Sequence, residues 1–446
     1  MRGIEAAFKI LTENLNEGRF ASEALRNLAN REKMKASDIS LASSLIYIFM
    51  RRRELWEEIC GKFLSSKEKL PSHVNVAMIM GAGGILELRR FSVGVLINGI
   101  IEILKRSKSY SKYCGLVNAV LRKIIENGET LLNEYKNSPA LEQKALWAGI
   151  PVWTLPAWNR TWNKSELKEI FTMFNSPSYS SLRISKGKTE EVTKILEDEK
   201  IRCHVSEISG ALRLNESVLP VNLKGFNEGL FTVQSESSIL TASLVKKFYD
   251  NKGIIIDMCS GRGVKAGQIL QDCEKASLEC WELSERRSQS AAHELERLHV
   301  NDRAKLKQGN ALTLEPDKKP SFVILDAPCS CSGTWNRKPE SKWRLDWKKF
   351  DALVATEKKL LEKAVNICET GGYILYITCS LLKQENENVI AETISAHSEC
   401  AEVSSLINWK IDGKIFHKGK PYGIYIWPCD SWLDGFYCSL MIKRSL

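Results

Sequence analysis

The stretch GIIIDMCSGRGVK, residues 253–265, decides how the second half of the chain is expected to fold. Three isoleucines closed by Asp257 form an apolar run of the length of a buried strand, and two glycines then place a turn before a helical pattern that begins at Val264. A strand, a glycine-bearing turn and a helix N-terminus let backbone amides approach a nucleotide-like ligand closely. Two glycines also occur in turns that bind nothing. Alone, the stretch predicts a βα unit and leaves the ligand open.

Outward from this unit, strand and helix patterns alternate to the end of the chain. Apolar runs that fit buried strands are ASLECWEL at 276–283, FVILDA at 322–327 and GGYILYIT at 371–378, and helical spacing fills the segments between them. Such alternation is typical of a doubly wound α/β sheet, which binds ligands at the carboxyl ends of its strands. We therefore predict an α/β domain over residues 246–446.

The second of these strands ends at an acid. Glu282 lies 25 residues after Asp257. In dinucleotide-binding folds, an acid at this place is the usual partner of ribose hydroxyls. With Glu282 present, a nucleoside-containing cofactor becomes the favoured interpretation of the glycine turn.

The first half of the chain has a different pattern. Apolar residues recur every three or four positions through residues 1–145, which predicts an all-helical domain. Within residues 146–245, SSLRIS at 180–185 and GALRL at 210–214 have the pattern of short strands on either side of a helical segment. This arrangement predicts a small α+β module between the two larger domains.

Composition bounds the class of protein. The chain has 446 residues, of which 43% are hydrophobic and 26% charged, as is ordinary for globular domains. No apolar stretch reaches the roughly 18 residues of a membrane span, and the N-terminus lacks a signal-peptide core, so we expect a cytoplasmic protein without a membrane partner. The 13 cysteines then fit reduced thiols better than disulfides, and without paired C-x-x-C spacing we expect no zinc or other metal.

Positive charge is concentrated near the N-terminus. The net charge is +10, and residues 1–150 hold 23 Lys and Arg against 16 Asp and Glu. This bias fits an electrostatic footprint for a polyanion, and it equally fits a well-solvated helical surface. Composition leaves both interpretations open.

Candidate reactive groups at the strand ends are thiols. None of the six histidines falls on a predicted strand end, which disfavours a histidine-based hydrolase or metal site. Cys329 follows the FVILDA run and Cys379 follows GGYILYIT. Amides at a helix start lower the pKa of a nearby thiol, so we expect reactive cysteines here. The alternative is that both are small residues filling tight turns.

Five segments together resemble one known family. They are DAPCSCSGTWNRKPESKWR at 326–344, YITCSLLKQENENVI at 376–390, FTVQSESS at 231–238, GLVNAVLRKI at 115–124 and DGFYCSLMIKR at 434–444. They look like the Sun/RsmB family of ribosomal RNA cytosine-5 methyltransferases, and the likeness covers nearly the whole chain. It implies a NusB-like helical RNA-binding domain, a Rossmann-like methyltransferase domain that binds S-adenosylmethionine, and 5-methylcytosine in small-subunit (16S) ribosomal RNA as product.

The resemblance also implies catalytic roles. Carbon 5 of cytosine is a weak nucleophile, so a thiolate, by resemblance Cys379, first adds at carbon 6. Asp326 would hydrogen-bond the base and stabilise the charge that develops. Cys329 would assist loss of the carbon 5 proton and release of the RNA. Cys331 stands where the family usually has glycine, and we assign it no role.

Cofactor contacts carry over in the same way. The implied positions are Cys259, Ser260, Gly261, Gly263, Lys265, Glu282, Asn310 and Asp326. Two positions depart from the family pattern. Val264 replaces a usual glycine and can crowd the backbone approach, and Asn310 replaces a usual Asp at the adenine, where its carbonyl can still accept a hydrogen bond.

Basic and aromatic residues interleave just after Cys329. They are Trp335, Arg337, Lys338, Lys342, Trp343, Arg344, Trp347 and Lys348. Such a segment suits contact with phosphates and unstacked bases of RNA. The alternative is a segment whose tryptophans belong to the core and whose lysines are solvated.

Two other functions remain open at this point. One is a non-catalytic RNA-binding or ribosome-assembly protein whose altered cofactor turn binds nothing. The other is DNA cytosine methylation, in which the Pro-Cys thiol attacks. We favour a monomeric RNA methyltransferase because both the Thr-Cys-Ser motif and the basic helical domain are present.

Overall fold

The computed structural model describes residues 2–17, 21–64, 70–88, 91–175, 180–215, 220–403, 417–419, 421–428 and 432–445. Its contacts divide the chain into two units. One contains residues 1–175 together with Trp335–Asp346, and the other contains Ser176–Thr334 and Trp347–Leu446. The three-way division that we predict, at 1–145, 146–245 and 246–446, stays a prediction.

The first unit is helical. Its helices are α1 (Arg2–Glu17), α2 (Ala21–Glu32), α3 (Ala36–Arg51), α4 (Arg53–Gly61), α5 (Ser72–Glu87), α6 (Val93–Lys105), α7 (Cys114–Asn137), α8 (Leu141–Ala148), α9 (Leu155–Thr161) and α10 (Lys164–Asn175). α5 is buried along most of its length. Glycines let its neighbours come close, since a Cβ on Gly81 would lie 2.7 Å from Leu121 of α7 and one on Gly84 would lie 2.6 Å from Leu96 of α6. The helical prediction is confirmed.

Residues 335–346 are part of this helical unit. Trp335 is fully buried, with its ring centroid 5.9 Å from that of Trp158 and 6.1 Å from that of Phe174. The Lys342 side chain is also buried, and its Nζ donates to the backbone oxygens of Arg51, at 2.5 Å, and Gly149.

The expectation that the interleaved segment contacts RNA is therefore wrong for Trp335 and Lys342, because both side chains lie in the core. The Trp343 side chain is also held within the helical unit, because its Nε1 donates a hydrogen bond to the Met50 backbone oxygen. Lys338 and Lys348 are exposed.

The second unit begins with a small antiparallel sheet. Its elements are β1 (Ser181–Ile184), α11 (Thr189–Asp198), β2 (Cys203–Val205), β3 (Ala211–Leu214) and β4 (Phe231–Val233). The strand order is β2-β3-β1-β4. Leu182, Leu212 and Phe231 are buried in its core. The two strands and the helix predicted from the sequence here are confirmed.

The rest of the second unit forms the larger sheet and its helices. The elements are α12 (Glu236–Phe248), β5 (Ile254–Asp257), α13 (Val264–Asp272), β6 (Ser277–Glu282), α14 (Glu285–Arg297), β7 (Ala304–Gln308), β8 (Phe322–Asp326), α15 (Trp347–Ile367), β9 (Tyr373–Thr378), α16 (Glu387–Ala396), β10 (Cys400–Glu402), β11 (His417–Gly419), β12 (Ile424–Ile426) and β13 (Phe436–Lys443).

Strand order positions the site. Among the described residues, β7-β6-β5-β8-β9 are parallel neighbours, which confirms the α/β prediction. Beyond β9 the sheet continues with antiparallel β13, β12 and β11, while β10 pairs with β13. The sequence did not predict these antiparallel strands. Because the five parallel strands end at one edge, Asp257, Glu282, Asp326 and Thr378 end their strands on the same side of the sheet.

Within the described residues, no helix is long and apolar enough to cross a membrane.

Candidate active site

The two predicted reactive cysteines lie in the loops that follow two neighbouring strands. β8 and β9 are adjacent and parallel, with Asp326 opposite Ile377, so the loops after both strands start at the same edge. Cys329 lies in the first loop and Cys379 in the second, and their Sγ atoms are 3.4 Å apart. Both side chains are half-buried. The structure thus brings together two cysteines that stand 50 positions apart in the chain.

One buried carboxylate joins the two cysteine loops. Glu385 accepts hydrogen bonds from the Ser330 backbone amide at 2.5 Å, from the Ser330 hydroxyl at 2.6 Å and from the Ser380 hydroxyl. Ser332 Oγ lies 2.9 Å from Ser380 Oγ and accepts from the Leu381 amide. Each serine follows a cysteine by one position, so this network fixes the backbone beside all three thiols of the loops.

A second buried acid lies next to Glu385. Glu357, on α15, is fully buried. Its pKa is raised well above 4.5, mainly by burial and next by the negative charge of neighbouring Glu385. Burial raises the pKa of Glu385 as well, while the hydrogen bonds from Ser330 and Ser380 lower it. On balance the pKa of both acids lies above the usual value of a glutamate. Sequence reasoning missed both acids, because a glutamate in a helical pattern carries no local sign of burial.

The pKa of Cys329 is raised. Its causes are hydrogen bonds with the Cys331 thiol and then with the Cys379 thiol, together with burial. The expectation that helix amides lower the pKa is wrong for Cys329, because the chain continues from it into turns rather than into a helix.

Cys331 completes a cluster of three sulfurs. The Sγ atoms of Cys329, Cys331 and Cys379 all lie within 4.8 Å of one another, and all three side chains are half-buried. Cys331 has φ +58°, in the left-handed region that favours glycine. Its thiol also lies 3.5 Å from the Cys329 backbone oxygen.

The glycine turn joins β5 to α13. Gly261 and Gly263 have φ +59° and +77°, in the left-handed region that favours glycine. The Gly261 amide donates to Glu282 Oε2 at 3.0 Å, and the Ser260 amide donates to the Trp281 oxygen at 3.0 Å. The other oxygen of Glu282 accepts from the Ser284 amide and from Arg287. Glu282 therefore lies directly beside the turn, as the sequence predicts.

The turn residues on either side of the glycines differ in burial. Cys259 is partly buried, and burial raises its pKa. Val264 begins α13 and is half-buried.

Asn310 follows β7 and is exposed, and its Oδ1 accepts from the Leu312 amide at 3.0 Å. The preceding Gly309 amide donates to the Glu282 backbone oxygen, so Asn310 is near the same strand end.

Acids and one lysine connect the turn to the cysteine loops. Lys265 Nζ lies 2.5 Å from Asp326 Oδ2, which links the start of α13 to the end of β8. Asp257 ends β5, which lies next to β8 in the sheet. Its side chain is buried, and burial together with the neighbouring Asp326 raises its pKa to about 7. This edge of the sheet holds three acids, Asp257, Glu282 and Asp326.

The edge suits a positively charged nucleoside. Asp257 Oδ1 is buried and has no hydrogen-bond partner among the described residues, so it can accept from a ligand. A Cβ on Gly261 would meet no protein atom within 4 Å, so space is open above the turn. Glu282 accepts from the Gly261 amide beside this space, and a carboxylate there favours a cation over a bare phosphate.

Comparisons with known proteins agree with this arrangement. Residues 247–442 match the family model described as 16S rRNA methyltransferase RsmB/F, and residues 3–126 match the NusB family. A relative named ribosomal RNA small subunit methyltransferase B, from Pasteurella multocida, is 24% identical over 98% of this chain and 95% of its own length. Its namesake from Erwinia tasmaniensis is 26% identical over 93% of each chain.

Solved structures share the fold. The crystal structure of PH0851 has a TM-score of 0.77 and 21% identity, covering 99% of this chain and 98% of its own. NSun6 from Pyrococcus horikoshii has a TM-score of 0.57 and 18% identity over 66% of this chain and 99% of its own. Along the chain, a segment that matches the NusB family is thus followed by one that matches the 16S rRNA methyltransferase RsmB/F family.

Proposed function

We propose that this protein transfers a methyl group from S-adenosylmethionine to carbon 5 of a cytosine in small-subunit (16S) ribosomal RNA, through a covalent adduct with Cys379. The observation that carries the proposal is the pair of thiols 3.4 Å apart at the ends of adjacent parallel strands, beside a cluster of acids. One thiol can attack the base while the other serves the later proton transfer. The names of the relatives supply the class of RNA.

The chain's own residues account for the cofactor site. Glu282 would hold the ribose hydroxyls, Asn310 the adenine and Asp326 the sulfonium side. Cys259, Ser260, Gly261 and Gly263 would line the turn, and Lys265 would orient Asp326 through its 2.5 Å contact. When bound, S-adenosylmethionine supplies the methyl group. Asp257, with its buried unpartnered oxygen, adds an acceptor that the sequence did not predict.

The base would be activated by the two cysteine loops. Cys379 adds to carbon 6 as a thiolate, which makes carbon 5 nucleophilic enough to take the methyl group. Asp326 holds the base edge and stabilises the charge that develops during the addition. After methyl transfer, Cys329 assists loss of the carbon 5 proton, and the bond between Cys379 and carbon 6 then breaks.

The helical unit would supply RNA affinity. It contains the NusB-family match, and the first 150 residues hold the excess of Lys and Arg. Cationic side chains release counterions from RNA, so affinity should fall steeply with salt. We place the protein in the cytoplasm as a monomer.

Two cysteine substitutions test the roles. Cys379→Ser should abolish both methylation and any covalent adduct, because a hydroxyl does not add readily to carbon 6. Cys329→Ser should still attack and methylate once but release RNA slowly, so a protein–RNA band should appear on a denaturing gel. The double variant must lose this band. Cys203→Ser, a half-buried thiol of the small sheet, is the matched control and should behave as wild type.

Other outcomes would support other functions. If Cys379→Ser traps nucleic acid and Cys329→Ser does not, the roles are reversed, as expected for the DNA-methylating alternative. If neither variant traps RNA while both abolish methylation, the thiols serve packing only. Titration calorimetry with S-adenosylmethionine addresses the non-catalytic alternative, because absence of heat at high micromolar ligand would support a pure RNA-binding protein.

A further inference from the structure

We propose that Cys329, Cys331 and Cys379 form a binding site for a thiophilic divalent ion, Zn²⁺. Their three sulfurs lie within 4.8 Å of one another, and those of Cys329 and Cys379 are 3.4 Å apart. Tetrahedral zinc with Zn–S bonds of about 2.3 Å holds its sulfurs roughly 3.8 Å apart. The observed spacing brackets that value, so side-chain rotations of modest size would complete the site.

The loop geometry supports a use for the third sulfur. Cys331 adopts φ +58°, a conformation that costs a non-glycine residue on the order of 1–3 kcal/mol unless its surroundings impose it. The surroundings do impose it here: the Ser332 hydroxyl accepts from the Leu381 amide, and the Gly333 amide donates to the Cys379 oxygen. The two cysteine loops thus hold the Cys331 thiol against the other two.

Access and chemistry also fit an ion. All three side chains are half-buried, so an ion can reach the sulfurs from solvent, and water can fill the fourth position. Thiolate ligands select zinc and copper(I) over magnesium or calcium. Each thiol that binds releases one proton to solvent, so occupation of all three ligands releases three protons per ion. The absence of C-x-x-C spacing had predicted no metal, but here two ligands come from C-x-C and the third from a neighbouring strand end.

The site would affect catalysis. An ion on Cys379 occupies the sulfur that attacks carbon 6, so Zn²⁺ would inhibit methylation reversibly. This consequence rests on the proposed function, whereas ion binding itself does not.

Cobalt(II) is a suitable probe, because tetrahedral cobalt–thiolate sites have intense absorption. Titrating the reduced full-length protein with Co²⁺ should produce a thiolate charge-transfer band that saturates at one equivalent and disappears when Zn²⁺ is added. Cys331→Gly should weaken Co²⁺ binding by at least about tenfold, since loss of even an outer-shell partner typically costs this much. Cys331→Ser keeps the side-chain volume and should show the same loss. Cys203→Ser, the control, should keep the band.

The outcomes are distinct. If no saturable band appears in the wild type, or if both Cys331 variants titrate as the wild type does, the proposed site is wrong. Methylation assays then separate site from function. Zn²⁺ should inhibit the wild type at lower concentrations than it inhibits Cys331→Gly, and a chelator should restore activity. If Zn²⁺ binds as expected and methylation continues unchanged, the site stands, and the role of Cys379 in the proposed function is wrong.

Discussion

Replacing Glu385 with Ala should destabilise the methyltransferase unit and loosen both cysteine loops. The carboxylate accepts three hydrogen bonds, two from Ser330 and one from the Ser380 hydroxyl, and all of these groups are buried. A hydrogen bond to a charged group contributes roughly 1.5–3 kcal/mol, but bonds to one carboxylate are not additive. A buried donor left without its acceptor costs about 1–3 kcal/mol. We therefore expect a loss of that size in the free energy of unfolding.

Glu385→Gln should cost less than Glu385→Ala. The amide keeps one carbonyl oxygen for the Ser330 backbone amide, and the two serine hydroxyls can rotate to accept from its NH₂ group. Urea unfolding monitored by circular dichroism gives the stability of each variant. Alkylation by iodoacetamide, followed residue by residue with mass spectrometry, reports the loops, and Cys329 and Cys379 should react faster in the Ala variant.

Glu402→Ala is a matched control. Glu402 accepts from the Gly423 amide and from Ser439 at the other side of the sheet. It should lower stability without changing the alkylation of either cysteine. A loss below about 1 kcal/mol for Glu385→Ala, with alkylation rates as in the wild type, would refute the view that this carboxylate holds the loops together.

Two further predictions concern burial and the cofactor turn. Burial raises the pKa of Glu357 well above 4.5, so its protonated form stabilises the fold fully below pH 4.5 and this contribution is lost as pH rises through the folded-state pKa. Glu357→Gln cannot ionise at this position and does not lose this stability, so its unfolding free energy relative to wild type should increase from about pH 4.5 upward. An equal pH dependence of stability in both proteins would contradict a raised pKa for Glu357. Val264→Gly should tighten S-adenosylmethionine binding by about 1 kcal/mol if the side chain crowds the ligand, as measured by titration calorimetry. Weaker binding would show that the turn is built around valine.

Local patterns predicted the parallel part of the sheet well. Four of its five strands, β5, β6, β8 and β9, fall on runs that the sequence indicates, and this signal does not depend on distant contacts. The fifth, β7 (Ala304–Gln308), alternates lysines with apolar residues and was not predicted. The approach of Cys329 and Cys379 required the strand order, in which β8 and β9 are neighbours, and local pattern alone does not supply that order. The family resemblance implied only that both cysteines take part in one reaction.

Other features were beyond local pattern. Alternating basic and aromatic residues look the same whether they face RNA or a core, so Trp335 and Lys342 were assigned to RNA although both are buried. Glu385 was missed because two of its three hydrogen bonds come from Ser330, 55 positions away in the chain. Cys331 was assigned no role, because its C-x-C spacing with Cys329 becomes a cluster of three sulfurs only when Cys379 from the other loop is added.

The insertion of residues 335–346 into the helical unit bears on how such proteins can be recombined. A gene fusion that exchanges only the N-terminal domain between relatives would bring in a new helical core and leave behind the segment that the old core enclosed. Trp335 would then lose its aromatic neighbours Trp158 and Phe174, and the Lys342 ammonium would lose the Arg51 and Gly149 carbonyls. The transferable module is therefore discontinuous in sequence, and a functional chimaera must carry residues 335–346 with the helices that surround them. Dissection of the chain meets the same constraint. Deletion of residues 1–145 would remove the Arg51 carbonyl that accepts from Lys342 and leave Trp158 and Phe174 beside Trp335, so it would divide the helical core around this segment.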